Sequence, residues 1–363
     1  MTIEENILWL LDEYQRLGIA QQLDYKKFYL YSIITHSTAI EGSTVTEIEN
    51  QLLFDEGISA KGRTMHEQLM NIDLKKAYEQ AAIWAKEHKA ITTDMLKQLS
   101  ALVMKNTGTV YNTMSGNFDS SKGDIRLVNV TAGAGGRSYM SFLKVPTKLQ
   151  EFCTQINQRR EQLTLHMDTL EAYRMSFDAH MQLVTIHPWA DGNGRMSRLL
   201  MNYLQFEYGL VPTKVSTEDK ASYIQALIDS RENESPEPFR QFMFASFADS
   251  LTQEIAQYRH SIEEDIVTEV DKKPTSGGQE NSLGGQENSS KAERKATTAG
   301  QETREQLLNL IANDDNITST RMAEVIGINR SAVTRHLKIL QEEGLLRREG
   351  PTKGGRWVTS HNK

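Results

Sequence analysis

Hydrophobic positions recur at three- and four-residue steps through most of the chain up to about Ser261, the spacing of helices that bury one face. Leu170, Tyr173, Phe177, Met181 and Val184 form one such stripe, and Met196, Leu199, Leu200, Tyr203 and Leu204 form another. Between the two stripes stands His187-Pro188-Trp189-Ala190-Asp191-Gly192-Asn193-Gly194-Arg195. Overlapping capping boxes at Thr44–Glu47 and Thr46–Glu49 predict a helix that begins just after Gly42. The period changes between about Gly116 and Ser141. There Ile125, Val128, Val130 and Tyr139 are strand formers, broken by Gly133-Ala134-Gly135-Gly136, which predicts a β-hairpin with a mobile tip.

Periodicity stops near residue 271. Gly277-Gly278-Gln279-Glu280-Asn281-Ser282 is repeated, after Leu283, as Gly284-Gly285-Gln286-Glu287-Asn288-Ser289. Such a segment has almost nothing to bury, so residues 271–303 are expected to be a flexible linker. Beyond it, Thr318-Ser319-Thr320 can cap a short helix ended by Gly327, and a second helix is predicted from about Arg330 to Glu343, with Val333, Leu337, Ile339 and Leu340 facing inward. Gly344-Leu345-Leu346 through Val358 reads as a hairpin tipped by Gly350–Gly355. This order resembles a winged helix-turn-helix, with Arg330, Ser331, Thr334, Arg335 and Lys338 on its outward face.

Composition sharpens the picture in three places. The net charge of −7 argues against a general polyanion binder, yet residues 321–363 carry nine Lys/Arg against four Glu, a local excess of five. That excess favours DNA as a partner of the tail, with protein docking as the competing reading. One cysteine, Cys153, excludes an internal disulfide and a thiolate-rich metal site and fits a reducing compartment. No apolar run approaches the roughly 20 residues of a bilayer span, and Glu4 and Glu5 stand where a secretory leader would be basic, so a cytoplasmic protein is expected.

The segment from His187 to Arg198 concentrates chemistry. Gly192-Asn193-Gly194 precedes an amphipathic helix, so converging backbone N–H groups and a helix N-terminus make a ready anion site. Arg195 and Arg198 lie one turn apart and can close over a polyphosphate. Asp191 is a hard oxygen ligand suited to the Mg²⁺ a nucleotide brings. His187 can take a proton from an incoming hydroxyl. Together they suit phosphorus transfer from ATP-Mg.

His187–Arg198 resembles the Fic-family signature His-Pro-Phe-x-Asp/Glu-Gly-Asn-Gly-Arg-x-x-Arg, with Trp189 in place of Phe. The likeness extends over roughly residues 30 to 260, through Asn202-Tyr203-Leu204, Gly209-Leu210-Val211-Pro212, Tyr223-Ile224-Gln225-Ala226-Leu227 and Phe239-Arg240-Gln241-Phe242. It implies transfer of AMP from ATP to a Ser, Thr or Tyr hydroxyl of a target protein or of the chain itself, releasing pyrophosphate. By position His187 would be the general base, Asp191 the Mg²⁺ ligand, and Gly192, Asn193, Gly194 and Arg195 the phosphate cradle. Arg198 would meet the γ-phosphate, Tyr223 would border the nucleotide, and the hairpin near 123–141 would hold the target segment. A branch of the family with Lys for the second motif glycine transfers phosphate instead, and Gly194 argues against it.

Ser37-Thr38-Ala39-Ile40-Glu41-Gly42 ends a helix, and it resembles the family's inhibitory motif, Ser/Thr-x-x-x-Glu-Gly/Asn. The resemblance implies that Glu41 pairs with Arg198 and so competes with the γ-phosphate. The expected architecture is mainly α: an N-terminal helical region over 1–95 carrying the motif at 37–42, a Fic catalytic core with a small β-hairpin flap over 96–265, the linker, and a winged helix-turn-helix over 304–360. Two other functions stay open: a nucleotide-sensing DNA-binding regulator, and a Fic-type enzyme that removes AMP. Self-association stays open as well.

Overall fold

A computed structural model describes residues 2–132 and 138–270, and scattered residues between 304 and 359. Two compact units emerge, Met1–Lys273 and Pro274–Lys363. The first is helical: α1 (Ile3–Arg16), α2 (Tyr25–Ile40), α3 (Glu47–Glu56), α4 (Met65–Lys86), α5 (Thr93–Val103), α6 (Val145–Leu165), α7 (Thr169–Ile186), α8 (Asn193–Glu207), α9 (Lys220–Glu232) and α10 (Glu237–Val270). Between α5 and α6 lies a hairpin of β1 (Val110–Thr113) and β2 (Gly116–Asp119).

Local chemistry sets where these helices start. Thr2 with Glu5, Thr46 with Glu49 and Thr64 with Glu67 form complete capping boxes at the heads of α1, α3 and α4. The second Thr–Glu signal at Thr44 does not cap. Thr44 instead donates its N–H and hydroxyl to Glu67, so α3 begins at Glu47, later than expected.

Helix α8 runs through the centre. Every residue from Arg195 to Gln205 is buried, which demands that its polar members find partners inside. Asn202 accepts from the Tyr78 hydroxyl and donates to the Thr213 carbonyl, while Gln205 donates to the Ser176 and Thr213 hydroxyls. Around this axis Leu199, Leu200, Tyr203 and Leu204 pack with Leu74, Leu96, Leu99 and Leu183. A second cluster, with Tyr173, Phe177, Phe239 and Phe247, joins α7, α9 and α10 to Ile7 and Leu10 of α1. Helix α5 runs across the expected boundary between residues 95 and 96.

The predicted hairpin at 116–141 is borne out only as a short pairing on either side of its predicted tip. The regular ladder pairs Val110 with Asp119 and Thr113 with Gly116, earlier in the chain. Beyond it, among the described residues, antiparallel pairing at 123–141 amounts to the Thr131–Ser138 bridge and a hydrogen bond from Tyr139 N–H to the Val130 carbonyl. Arg126 supplies the physical reason. Its buried guanidinium donates to the carbonyls of Val128 and Met140, one on each arm of this pairing, and to the His187 carbonyl, so a side chain in place of a regular ladder ties the two arms to each other and to the loop after α7. The tip at 133–137 lies outside the described residues.

In the second unit Thr318 accepts from the Arg321 N–H at the head of α11 (Ser319–Ile326), and β3 (Leu346–Glu349) pairs antiparallel with β4 (Arg356–Thr359). Leu307, Ile311, Met322, Val333, Leu337, Leu340, Leu346 and Trp357 form its core.

Candidate functional site

Helix α7 ends at Ile186, and His187 terminates it in a left-handed conformation with φ 52°. That turn throws the chain away from the helix axis and sends Trp189 into the core, where it is fully buried and donates Nε1–H to the Gly123 carbonyl at 3.1 Å. Asn193 then closes the loop. Its Oδ1 accepts the Trp189 N–H at 3.0 Å and its Nδ2 donates to the Trp189 carbonyl at 2.9 Å. The Asn193 side chain is therefore committed to the loop, and any contact it makes with an anion falls to its backbone.

Gly192 stands at the N-cap of α8 with φ 79°, and no side chain caps the helix. The first amides of α8 are thus left for an outside acceptor. Gly192 is also required sterically, since a Cβ there would lie 2.7 Å from the Met104 sulfur. A Cβ at Gly194 would lie 2.4 Å from Glu41 Oε1, so the carboxylate rests on the bare backbone of α8.

Arg195 is 3% exposed. Its Nη2 reaches the Met104 sulfur at 3.3 Å and Asp191 Oδ1 at 3.6 Å, while Nε and Nη1 are buried without a hydrogen-bond partner. Burial pulls its pKa below the usual arginine value. Unpaired guanidinium N–H groups are costly inside a protein, and their presence beside an uncapped helix marks a place for an anion. Arg198, equally buried, has its donors engaged. Nε donates to the Ser37 hydroxyl and Nη2 to the Ser37 carbonyl, each at 2.8 Å, Nη2 also reaches Glu41 Oε1 at 2.6 Å, and Nη1 reaches the Tyr223 hydroxyl at 3.3 Å. Tyr223 in turn bonds His180 Nε2 at 2.9 Å.

Burial pushes the Glu41 carboxyl up, but Arg198 and then Arg195 outweigh it, and the pKa ends below the usual carboxylate value. Burial likewise lowers Arg198, and Tyr223 and Glu41 more than restore it. Both partners are held charged.

His187 Nδ1 lies 3.2 Å from the Val184 carbonyl, which can only accept. Nδ1 therefore carries the proton and Nε2 the lone pair. Burial lowers its pKa to about 4, with Arg126 adding to the effect and Val184, Glu41 and Asp191 opposing it. The imidazole is neutral near pH 7, as a general base must be.

The geometry thus brings Glu41, His187, Asp191, Gly192, Asn193, Gly194, Arg195, Arg198 and Tyr223 to one place. Residues 90–205, which contain the loop and both arginines, match the model of the Fic/DOC family. This segment is a Fic/DOC-family domain. Residues 301–347 match a winged helix-turn-helix DNA-binding model. Residues 1–270 and the tail unit accordingly give a mainly helical Fic-type fold with small hairpins and a winged helix-turn-helix. The chain is similar to the protein adenylyltransferase fic-1 of Caenorhabditis briggsae, 26% identical over 204 residues, covering 55% of this chain and 36% of that protein. The fic-1 protein of Caenorhabditis elegans is 26% identical over 223 residues, covering 60% and 40%. The chain spans well under half the length of these relatives. A Fic-domain-containing signaling protein from Bacteroides thetaiotaomicron shares the fold with a TM-score of 0.57 at 20% identity, covering 70% of this chain and 97% of that one.

Around the Fic loop the structure adds residues that the sequence did not point to: Met104 under Gly192, Arg126 holding the His187 carbonyl, His180 behind Tyr223, and Tyr139, whose ring stacks on His187. Arg126 had a signal, a lone arginine in an apolar run, which is a common form of a buried pin. Asp191 is more than half exposed at the lip of the loop, and among the described residues no group of three or more His, Cys, Asp or Glu could hold a metal. A single carboxylate still fits Mg²⁺ that arrives on a nucleotide, because the phosphates and water supply most of the ligands. Arg330, Ser331, Thr334, Arg335 and Lys338 lie outside the described residues. Among those described, no helix is long and apolar enough to cross a membrane.

Proposed function

We propose that this protein transfers AMP from ATP to a Ser, Thr or Tyr hydroxyl of a protein, itself included, and that Glu41 holds it in check. The observation that carries the reading is the contrast between the two arginines of α8: Arg195 is buried with unpaired N–H groups, and all three nitrogens of Arg198 are engaged, by Ser37, Tyr223 and Glu41. Phosphates placed over the α8 N-terminus satisfy Arg195 at once. A γ-phosphate reaching Arg198 has to displace Glu41.

With ATP so placed, His187 Nε2 takes the proton of the target hydroxyl, whose oxygen forms the new bond to the α-phosphorus. The bond from that phosphorus to the bridging oxygen of the β-phosphate breaks, and pyrophosphate leaves. Asp191 would hold Mg²⁺, which when bound neutralises charge on the phosphate oxygens. The hydroxyl segment would lie along the hairpin near 123–141, and the names of the similar adenylyltransferases support the same activity. A cytoplasmic location fits this use of ATP.

The test incubates the full chain with ATP labelled on the α-phosphate, alone and with cell lysate. Glu41→Gly should label protein strongly and the same variant with His187→Ala should not. Absence of protein-bound AMP with Glu41→Gly, at any ATP concentration, would overturn the proposal. A second reading, a nucleotide-sensing regulator, is supported by the winged helix-turn-helix match at 301–347 and by the excess of five positive charges over residues 321–363, and it predicts ATP-dependent DNA binding without labelling.

A further inference from the structure

Three contacts fix the ring of His187, and two of them belong to α7 itself: the left-handed turn at its end and the Nδ1–Val184 hydrogen bond. Neither stops the imidazole from tilting about the hydrogen bond it makes. The third contact does. Tyr139 lies over the imidazole with ring centroids 3.6 Å apart and planes 16° from parallel. Its backbone is held by the hydrogen bond to the Val130 carbonyl beside the Thr131–Ser138 bridge. The Arg231 guanidinium of α9 stands 5.7 Å from the same phenol ring.

We propose that Tyr139 is a positioning residue for the transfer reaction proposed above, fixing the plane in which His187 Nε2 presents its lone pair and excluding water from one imidazole face. This inference rests on that reading. Stacking is a matter of ring faces, and the Nε2 lone pair lies in the ring plane. A tyrosine stacked on the face therefore leaves the reactive edge open to a hydroxyl, and its own hydroxyl is not needed. The aromatic ring carries the effect, so phenylalanine should serve as well as tyrosine.

The same cover bears on the charge of the base. The groups acting on His187 are Arg126, which disfavours the imidazolium, and Glu41, Asp191 and the Val184 carbonyl, which favour it, while burial is the largest influence and keeps the ring neutral. Arg231 lies beyond the Tyr139 ring. Taking the tyrosine away lets water onto the exposed face and weakens the burial influence, so the imidazole should protonate at higher pH.

The experiment compares Tyr139→Phe and Tyr139→Ala in the Glu41→Gly background of the full chain, with thermal melting as a check on folding. Tyr139→Phe should keep kcat within about threefold, and Tyr139→Ala should lower kcat about 10- to 100-fold with little change in KM for ATP, the cost of a misplaced base. Histidine NMR should show the His187 titration moving up towards its ordinary value of about 6.5 in Tyr139→Ala, and the acid limb of kcat should follow it. The titration reads the ring directly, so it tests the inference even if no AMP is transferred. Unchanged kcat and an unchanged titration in a folded Tyr139→Ala would overturn it. So would equal losses in Tyr139→Phe and Tyr139→Ala, since the hydroxyl would then be doing the chemistry.

Discussion

Glu41 Oε1 lies 2.6 Å from Arg198 Nη2 and rests against Gly194, at the head of the helix that would receive a nucleotide. The two residues are 157 positions apart in the chain, and both flanks of the contact are held firmly. Arg198 is gripped by Ser37, four residues before Glu41 on the same helix end. Helix α2 ends at Ile40, and Gly42, with φ 105°, turns the chain away directly after the carboxylate. Beneath it Thr38, Asn50 and Asn71 share buried hydrogen bonds that anchor the end of α2 to α3 and α4. A carboxylate placed by so many neighbours is already ordered, so it loses little entropy in meeting the arginine.

The acid limb of the transfer reaction should report His187. Its folded pKa, about 4, lies below the unfolded value near 6.5, so the neutral base persists down to about pH 5. Rates of Glu41→Gly should therefore be insensitive to His187 protonation between about pH 5.5 and 8. The same shift bears on stability: below about 6.5 the unfolded chain binds a proton that the native imidazole refuses, so His187 makes stability fall as pH drops from 6.5 to about 4. A pH–rate profile with its acid limb near 6.5 would mean that the working imidazole is solvated.

Asn193 is expected to act mostly through the fold. Removing its side chain leaves the Trp189 N–H and carbonyl without partners in a buried loop, at a cost of about 1–3 kcal/mol for each such group. Asn193→Ala should thus lower the midpoint of thermal or urea unfolding clearly. Asp191→Ala, at an exposed position, should leave the unfolding free energy within about 0.5 kcal/mol of the parent. Equal stability of the two variants would show that Asn193 is free to serve the nucleotide.

Much of this site was legible because it is local in the chain. The stripes of α7 and α8 bracket the loop, and the string from His187 to Arg198 holds most of the chemistry within one turn and two helix ends. Glu41 was legible through its short motif. What stayed hidden depends on partners far along the chain: Met104 meets Gly192 and Arg195, Tyr139 meets His187, and Arg126 meets the His187 carbonyl, 61 residues away. Spacing carries no record of such contacts. The regular ladder at 110–119 went unseen for a related reason. The strand formers at 125–130 pair only briefly and are held by Arg126, whereas Val110 and Tyr111 pair across a two-residue turn at Met114-Ser115 that lacks the usual Asn-Gly signal.

The tail should bind duplex DNA if its positive charge serves that purpose. Binding by the full chain should weaken steeply with salt, and Arg335→Ala should reduce the salt slope by about one unit if that residue meets a phosphate. Fluorescence anisotropy at two or more salt concentrations measures both. No binding at low salt would assign the winged helix-turn-helix to protein docking.

The Glu41–Arg198 contact makes a sharper claim, because the two residues should fail to act independently. Glu41→Gly frees Arg198 to orient the γ-phosphate and should raise AMP transfer at saturating ATP, since the gain is one of pose and not of affinity. Arg198→Ala also removes the ion pair, yet it takes away the group that the productive pose needs, so it should stay slow. It also leaves Glu41 without its largest source of stabilising charge, in a half-buried place over Gly194. The double variant should match Arg198→Ala alone, because a brake that works through Arg198 has nothing left to block. Residues in direct contact show such non-additivity, whereas distant ones add. Labelling of all four proteins at saturating ATP measures the coupling. If Glu41→Gly stimulates the Arg198→Ala protein as strongly as the parent, Glu41 obstructs the site by its bulk over Gly194 and the arginine is a bystander.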